Sequence, residues 1–558
     1  MKNRNPEERK TRVLFWLLAI ALGALQAWGN RYFMDLDGVS YLDHGDAFFR
    51  GEWGIAVNPY WGPLYSFLLG LALFVLKPSP YWEYPVVHFV NFLIYVGALG
   101  SFEFFLRQLI RHHEIQKEKL AEEGHTILPS SALRILAYSV FIWSSLTLIN
   151  LQEVTPDMLV ALFVYLASGV LLRICRGEGS WPLSLLLGGI LGLGYLAKSV
   201  MFPLSGVFLG VLLFRAGKPK KALPQTMGAL LVFLLIASPY IFTVSRAMGR
   251  LTISESGRLH YLWCVNQVYP DYPDAKKIFD SPPVLEFRTP IPGTFPIWFD
   301  PAYWNRNLAP NYFDPKGLVK MGLFNGKRYY SIFFLSQSYF TISFLLLLYM
   351  SRGRRFALKS LGQNGVFLLP AFAALGLYAL APLFTRYIAS FIALSWLGLF
   401  SGVRLPPSHA SRRLLIGVSL SLVTMMSFQI AREEFPLVRS TLREILKGGR
   451  PADHPMWLVA RHLNRMGLKP GDPVASIGSY FHAFWARLAR VRIIAQIHHT
   501  DSLSFWTQDP DVQSQVLKAF QSTGAKMLVA ERVPGGRAPE GWQRIEDTDF
   551  FVRPLAGN

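Results

Sequence analysis

The chain has 558 residues, of which 51% are hydrophobic and 16% are charged, and its mean hydropathy is +0.28. It is too long for one ordinary soluble domain, and its many apolar runs indicate a polytopic α-helical membrane protein. The formal net charge of +20 lies largely in short basic clusters between apolar runs, so we expect no nucleic-acid partner. Two cysteines, Cys175 and Cys264, make neither a disulfide framework nor a zinc-ligand set.

A basic amino terminus precedes the first apolar run, residues 13–28. No convincing small-residue cleavage site follows, so we predict a retained anchor with its amino end in the cytoplasm. The next stretch, RYFMDLDGVSYLDHGDAFFRGEWGIAVNPYWGPLY at residues 31–65, is then outside. Its closely spaced carboxylates are Asp35, Asp37, Asp43 and Asp46. Acidic clusters beside a bilayer are costly unless they face water or a cavity, which makes this stretch a functional candidate.

The apolar run at residues 63–76 is short, and prolines at 78 and 80 close it, which favours an interfacial or re-entrant helix. With that choice most short basic loops fall on one side, as orientation by Lys and Arg requires. If the run spans instead, everything downstream inverts and the charge bias becomes poor. The sequence then predicts about eleven spans, at residues 13–28, 85–110, 133–149, 158–174, 183–197, 202–214, 223–244, 331–350, 366–383, 387–400 and 414–428.

Two segments are too polar to span. Residues 245–330 are rich in proline and aromatic residues, and we predict an outer loop with short helices that lies over the acidic stretch. After Arg432, apolar runs at 474–478, 491–497 and 526–531 alternate with helical patterns, which predicts a small parallel α/β sheet.

The predicted domains are therefore two. Residues 1–431 form a transmembrane domain, with an outer acidic loop at 30–62, an interfacial segment at 63–80 and the large outer loop at 245–330. Residues 432–558 form an extracytoplasmic α/β domain.

Asp35 and Asp37 are the first candidates for chemistry. In an extended segment, side chains two apart point to one side, so both carboxylates could face one cavity. One of them would then act as a general base, with a divalent cation as an option beside it. The DxD pattern occurs often by chance, so two solvated loop acids are the alternative.

Three charged residues lie at predicted outer ends of spans: Asp157 in TPD, Lys198 in GLGYLAKS and Arg386 in FTRYIAS. Each has an ordinary alternative, namely helix capping by Thr155 or Asp157, snorkelling of the lysine, and an interfacial arginine anchor. The topology puts both cations on the same face as the acids, where they suit a substrate that carries a phosphate. His260 and the aromatic residues of the outer loop are more often packing than pocket.

In their order and common outer side, these motifs resemble the GT-C superfamily of membrane glycosyltransferases. The nearest group includes protein O-mannosyltransferases, aminoarabinose transferases and RgtA/B/C/D-like proteins. The resemblance covers roughly residues 10–430 and rests on DGVSYL, WGPLY, TPDMLVALF, GLGYLAKS and a late Arg-Tyr pair. It implies a catalytic base at Asp37, with Gly38 where many members have Glu. The second carboxylate must then come from Asp35 or Asp157.

The resemblance also implies a polyprenyl-phosphate sugar as donor and a lipid, polysaccharide or protein as acceptor. It implies inversion by a single displacement on the extracytoplasmic side of the bacterial inner membrane, surrounded by membrane lipids. The resemblance implies no cofactor with certainty. A divalent cation at Asp35 and Asp37 is optional. The donor phosphate is assigned to Lys198, Arg386 and Tyr387, and the candidate pocket residues are Tyr41, Asp46, Trp61 and His260. A transporter or flippase of a lipid-linked glycan is the alternative function, followed by a non-catalytic scaffold.

Overall fold

The computed structural model describes residues 6–122, 125–215, 219–268, 275–287, 293–306, 312–351, 362–446, 454–478, 483–536 and 538–555. The chain divides into two compact units that interleave along the sequence. The helical unit comprises Met1–Asn30, His88–Val268 and Asn311–Thr441, and the mixed unit comprises Arg31–Val87, Tyr269–Pro310 and Leu442–Asn558. The predicted domain boundary between residues 431 and 432 stays a prediction.

Helices dominate the described chain. They are α1 Pro6–Gly29, α2 Leu36–Phe49, α3 Trp53–Ala56, α4 Pro63–Leu76, α5 Pro80–Glu122, α6 Ser130–Trp143, α7 Asp157–Arg173, α8 Trp181–Ala197, α9 Met201–Arg215, α10 Pro219–Met248, α11 Ser256–Cys264, α12 Pro296–Phe299, α13 Pro301–Trp304, α14 Pro315–Tyr330, α15 Ser338–Met350, α16 Gly365–Tyr378, α17 Thr385–Ser401, α18 His409–Leu446, α19 Pro455–Arg465, α20 Phe484–Leu488, α21 Ser502–Trp506 and α22 Pro510–Ser522. Short π-helical segments follow α6, α7 and α14, at Ser144–Ile149, Ile174–Glu178 and Ser331–Ser336.

Six helices among the described residues are long and apolar enough to cross a membrane. They are Pro6–Gly29, Pro80–Glu118, Ser130–Ile149, Asp157–Glu178, Ala222–Met248 and His409–Leu446. A seventh span results if Pro315–Ser336 and Ser338–Met350, which are bent by 79°, count as one. The chain is therefore an integral membrane protein, as predicted from its apolar runs.

The predicted count of eleven spans is not confirmed. Four of the predicted spans form helices α8, α9, α16 and α17, which have 17, 15, 14 and 17 residues. A helix needs about 20 apolar residues to cross the hydrocarbon core, so these four are short for that role. The run at 63–76 forms the 14-residue helix α4, also too short for a full span.

The mixed unit contains a sheet of seven strands in the order β1-β2-β4-β3-β5-β7-β6 within the described residues. The strands are β1 Lys276–Phe279, β2 Val284–Glu286, β3 Pro473–Ile477, β4 Arg492–Ile497, β5 Met527–Glu531, β6 Gln543–Arg544 and β7 Phe550–Pro554. β3 pairs in parallel with β4 and β5, which agrees with the α/β sheet predicted after Arg432. The other pairs are antiparallel.

Strands β1 and β2 were not expected, because they come from the predicted outer loop. Val284 of β2 pairs with Ile497 of β4, so this loop segment extends the sheet. Strands of four and three residues are too short to show an alternating pattern in the sequence. Parts of the loop, at residues 269–274, 288–292 and 307–311, lie outside the described residues.

Helices α2 and α4 of the mixed unit cross at a pair of glycines. Helix α2 begins where the Asp35 carboxylate accepts a hydrogen bond from the Gly38 N–H at 2.6 Å. Helix α4 begins at Pro63, whose fixed φ suits a first helical turn. A Cβ on Gly70 would lie 2.4 Å from the carbonyl oxygen of Gly45, so the two backbones touch directly. This contact fixes the acidic helix against α4.

Gly70→Ala should therefore destabilise the protein, because the added methyl group has to push α2 away from α4. Overpacking of this kind costs about 1–3 kcal/mol of unfolding free energy. Gly54→Ala is the matched control, since a Cβ there meets no described atom within 4 Å. Thermal unfolding of the two purified variants tests the crossing, and equal melting temperatures would contradict it.

Candidate functional site

The candidate residues belong to two clusters, one within each unit. We call the cluster of the helical unit the cation cluster; it consists of Glu153, Asp157, Lys198, Arg386 and Tyr387. The second cluster lies on and around helix α2 of the mixed unit.

Asp157 is the centre of the cation cluster. Its side chain is only 2% exposed, and its carboxylate accepts hydrogen bonds from Lys198 Nζ at 2.5 Å and from the Thr155 hydroxyl at 2.9 Å. Arg386 Nε lies 3.3 Å from the same carboxylate. The capping alternative for Thr155 and Asp157 is wrong, because Pro156 occupies the N-cap of α7 without a side-chain cap. A buried carboxylate is stable here because two cations neutralise it.

Lys198 and Arg386 each contact a further side chain besides Asp157. Lys198 Nζ lies 3.5 Å from the centroid of the Tyr387 ring, which is a close cation–π contact. Arg386 Nη1 donates to Glu153 Oε2 at 3.0 Å. The side chains of Lys198 and Arg386 remain 22% and 18% exposed. A snorkelling lysine or a simple interfacial anchor would extend its charge into water, whereas these two charges are fixed by named partners.

Helix ends bring the cluster together. Asp157 begins α7, Lys198 directly follows α8, and Arg386 is the second residue of α17. These ends of α7, α8 and α17 lie together, which agrees with the common face that the topology predicts for Asp157, Lys198 and Arg386. Helix amino termini carry partial positive charge, so α7 and α17 add to the field of the cations. The cluster is suited to an anionic ligand that reaches the exposed parts of both cations.

His260, on helix α11, is an uncharged neighbour of this cluster. Burial and the nearby Lys198 charge lower the pKa of its imidazole to about 4. Its ring packs edge-on against Trp263, with the centroids 5.7 Å apart. At neutral pH it therefore adds no positive charge beside Lys198.

Asp35 and Asp37 do not lie in the extended segment that the sequence analysis assumed. Asp35 is the N-cap of α2, and Asp37 is in the first helical turn. The Asp37 carboxylate accepts a hydrogen bond from the Trp298 indole N–H at 3.0 Å. The backbone oxygen of Trp298 in turn accepts from the Ser40 hydroxyl at 3.0 Å. Asp35 therefore caps helix α2, whereas the carboxylate of Asp37 is oriented by the Trp298 indole.

The optional divalent cation does not fit this pair well. Asp35 already caps a helix, and Asp37 is bonded to an indole. Within the described ranges, no group of three or more His, Cys, Asp or Glu side chains is placed to hold a metal ion. Divalent cations in proteins usually have more ligands than this pair offers.

A segment of the predicted outer loop, residues 294–300, packs on helix α2. Asp43 accepts hydrogen bonds from the backbone N–H and the hydroxyl of Thr294, at 2.7 and 2.8 Å. The His44 ring stacks on Phe299 with centroids 4.2 Å apart, and its Nε2 lies 2.9 Å from the Phe299 oxygen. Helix α4 and this segment together pack against α2, most of whose residues are buried.

The candidate pocket residues Tyr41, Asp46 and Trp61 have packing or ionic partners within the mixed unit. Tyr41 and Trp61 are buried and pack edge to face with centroids 4.9 Å apart, and Trp61 Nε1 donates to the Phe299 oxygen at 3.2 Å. Asp46 forms an ion pair with Arg487 at 2.7 Å. None of these contacts points to a ligand, so their role as pocket residues stays a prediction.

Arg487, which the sequence analysis missed, joins α2 to the α/β sheet region. Its side chain is 4% exposed and lies 2.7 Å from carboxylate oxygens of Asp43, Asp46 and Glu83. Arg490, one turn further along the chain, also bonds Glu83. Burial works against the charge, yet the carboxylates raise the pKa of Arg487 well above its usual value. The sequence FWARLAR names no partner for either arginine, which is why it gave no signal for this ion cluster.

Neither a family model nor a curated protein sequence matches the chain. Among solved structures, the chain is similar to the crystal structure of the Archaeoglobus fulgidus oligosaccharyltransferase in complex with zinc and sulfate. The TM-score is 0.47 at 13% sequence identity, and the match covers 93% of this chain and 68% of that one.

Asp157→Asn should destabilise the helical unit, because it removes the negative charge that Lys198 and Arg386 share. Removing one partner of a buried pair costs about 3–5 kcal/mol, and we expect roughly 1–3 kcal/mol here because water screens the partly exposed cations. Glu153→Gln is the control, since it affects Arg386 alone. Thermal unfolding in detergent is the measurement. A second change, Lys198→Gln, should restore part of the lost stability, and the absence of any restoration would count against a shared charge.

Proposed function

We propose that the protein is a membrane glycosyltransferase of the GT-C kind. It moves a sugar from a polyprenyl-phosphate-linked donor to a hydroxyl group of a lipid, polysaccharide or protein acceptor. The observation that carries the proposal is the cation cluster, in which buried Asp157 fixes Lys198 and Arg386 while both keep exposed surface. Two cations held in this way are pre-oriented for a phosphate, and little side-chain freedom is lost when it binds.

The donor phosphate is bound by both cations. Lys198 contributes a compact ammonium group, and Arg386 contributes a planar guanidinium that matches phosphate oxygens. Half-buried Glu153 is the partner that a phosphate displaces from Arg386. Asp157 remains in place as a positioning residue, because its side chain has almost no contact with water. Tyr387 supports the Lys198 ammonium from one face.

Asp37 is the proposed general base. The Trp298 indole holds one of its oxygens at 3.0 Å and so fixes the direction of the carboxylate. The acceptor hydroxyl loses its proton to Asp37 while its oxygen forms a bond to the anomeric carbon. The bond from that carbon to the phosphate oxygen breaks, and polyprenyl phosphate leaves with the electron pair. The configuration inverts, and Lys198 and Arg386 balance the charge on the leaving phosphate.

The proposed setting is the bacterial inner membrane, with the amino terminus in the cytoplasm and residues 432–558 outside. This orientation rests on the bias of Lys and Arg between loops. A lipid-linked donor diffuses in the membrane, so a reaction on the outer side needs no soluble nucleotide sugar. No step of the proposal passes through a metal ion.

Asp37→Asn should lower sugar release by about 10²–10⁴-fold, the usual contribution of a general base. Purified full-length protein in native lipids would be mixed with a lipid-linked donor pool and acceptors of each class, and donor consumption followed by mass spectrometry. Asp280→Asn is the matched control, since that side chain is 94% exposed. Equal activity of the two variants would refute the role of Asp37.

Arg386→Lys keeps the positive charge but loses the planar fork, so the KM for the donor should rise about tenfold or more. Lys277→Gln, at an exposed position of β1, is the control for removal of a surface charge.

If the unmodified protein consumes no donor but moves it across vesicles, and Asp37→Asn does so equally well, the transporter alternative replaces the transferase.

A further inference from the structure

A cavity of about 290 Å³ opens within the mixed unit, beside the carboxyl-terminal ends of α2 and α4. Phe49 of α2 and Leu73 and Phe74 of α4 form its apolar wall. The residues assigned above to the base and to the donor phosphate do not line it. Its size is at the lower end of small-molecule pockets, which fits a head group rather than a whole lipid.

The polar wall of this cavity has an excess of positive charge. Arg50, Lys77 and Arg490 line it together with one carboxylate, Asp46. Asp46 is already paired with Arg487 at 2.7 Å, so its charge is largely satisfied within the protein. The cavity therefore favours an anion over a cation or a neutral ligand.

Lys77 is the least committed of the three cations. Arg50 is 2.8 Å from Glu52, and Arg490 bonds Glu83. Lys77 forms no ion pair with a carboxylate among the described residues, and its ammonium is 6.0 Å from the centre of the Phe74 ring. An approaching anion thus meets the charge of Lys77 with little competition.

The backbone of Lys77 supports a role for its side chain. Lys77 ends helix α4 in the left-handed conformation, with φ 44° and ψ 53°. In helices that end with a left-handed residue, that residue is usually glycine, because glycine adopts the conformation without steric cost. A lysine here costs stability, which is consistent with a use for the ammonium group outside the fold.

The surroundings of the cavity are apolar on one side. Phe74, Val75 and Leu76, the last residues of α4, are all exposed, although each is large and hydrophobic. Exposed apolar surface next to basic residues is typical of helices that lie at a membrane interface. A ligand of the cavity therefore has an anionic head and a hydrocarbon tail.

We propose that this cavity binds the phosphate head group of an anionic membrane phospholipid. Lys77, with Arg50 and Arg490, contacts the phosphate oxygens, and the first methylene groups lie along Phe49 and Phe74. The site shares neither the base nor the donor-binding cations with the proposed glycosyl transfer; of the candidate pocket residues, only Asp46 lines it.

Lys77→Gly tests this site with little risk to the fold, since glycine relieves the left-handed backbone. Full-length protein in a non-ionic detergent would be titrated with phosphatidylglycerol and, separately, with neutral phosphatidylcholine, and bound lipid counted by native mass spectrometry. We expect selective binding of phosphatidylglycerol to the unmodified protein and an affinity about tenfold lower for Lys77→Gly, which should melt at an equal or higher temperature. Asp37→Asn should bind like the unmodified protein.

Three outcomes would overturn the proposal. The first is equal affinity for the two lipids, and the second is equal binding of phosphatidylglycerol by Lys77→Gly and by the exposed control Lys277→Gln. The third is displacement of the lipid by millimolar inorganic phosphate, since that would make free phosphate the ligand.

Discussion

The buried guanidinium of Arg487 is the constraint on which the mixed unit depends. A charge removed from water is costly, and it is tolerated only where partners surround it. Arg487 has three such partners, Asp43 and Asp46 in the second half of α2 and Glu83 near the start of α5. Acidic residues that follow the first apolar run are thereby tied to a short helix that comes more than 400 residues later. The position of α2 is set by this pairing as much as by its own sequence.

Aspartate residues have three different structural roles along this chain, and the partner of each carboxylate determines its role. Asp35 caps a helix, Asp46 pairs with Arg487, and Asp157 holds two cations. In the sequence all three appear as acids beside apolar runs. Their spacing shows that they can reach a common region, but it does not show which backbone N–H, arginine or lysine they meet. Tertiary contacts over long sequence separations supply that information.

Much of the fold was nonetheless predictable, because it rests on local patterns. Apolar runs predicted the long apolar helices, and short apolar runs between helical segments predicted β3, β4 and β5 close to their observed bounds. The sequence placed Asp157, Lys198 and Arg386 at the ends of apolar runs on one predicted face, and the charged groups of Lys198 and Arg386 lie 2.5 and 3.3 Å from the Asp157 carboxylate. The prediction failed where the pattern was ambiguous or too short. Asp35 and Asp37 flank a helix start rather than lie in an extended segment, and β1 and β2 are too brief to show a period.

The two ionic clusters differ in how far solvent reaches their cations, and this decides whether a ligand can bind there. Arg487 is 4% exposed and meets three carboxylates, so its charge is neutralised inside the protein and is shielded from solvent. Lys198 and Arg386 are 22% and 18% exposed around a single fully buried carboxylate. Under the proposed function, a phosphate reaches the exposed parts of both cations and displaces Glu153 from Arg386, while Asp157 stays in place. An ion cluster that orients cations and leaves part of their surface open can bind an anion; one that encloses them completely serves stability alone.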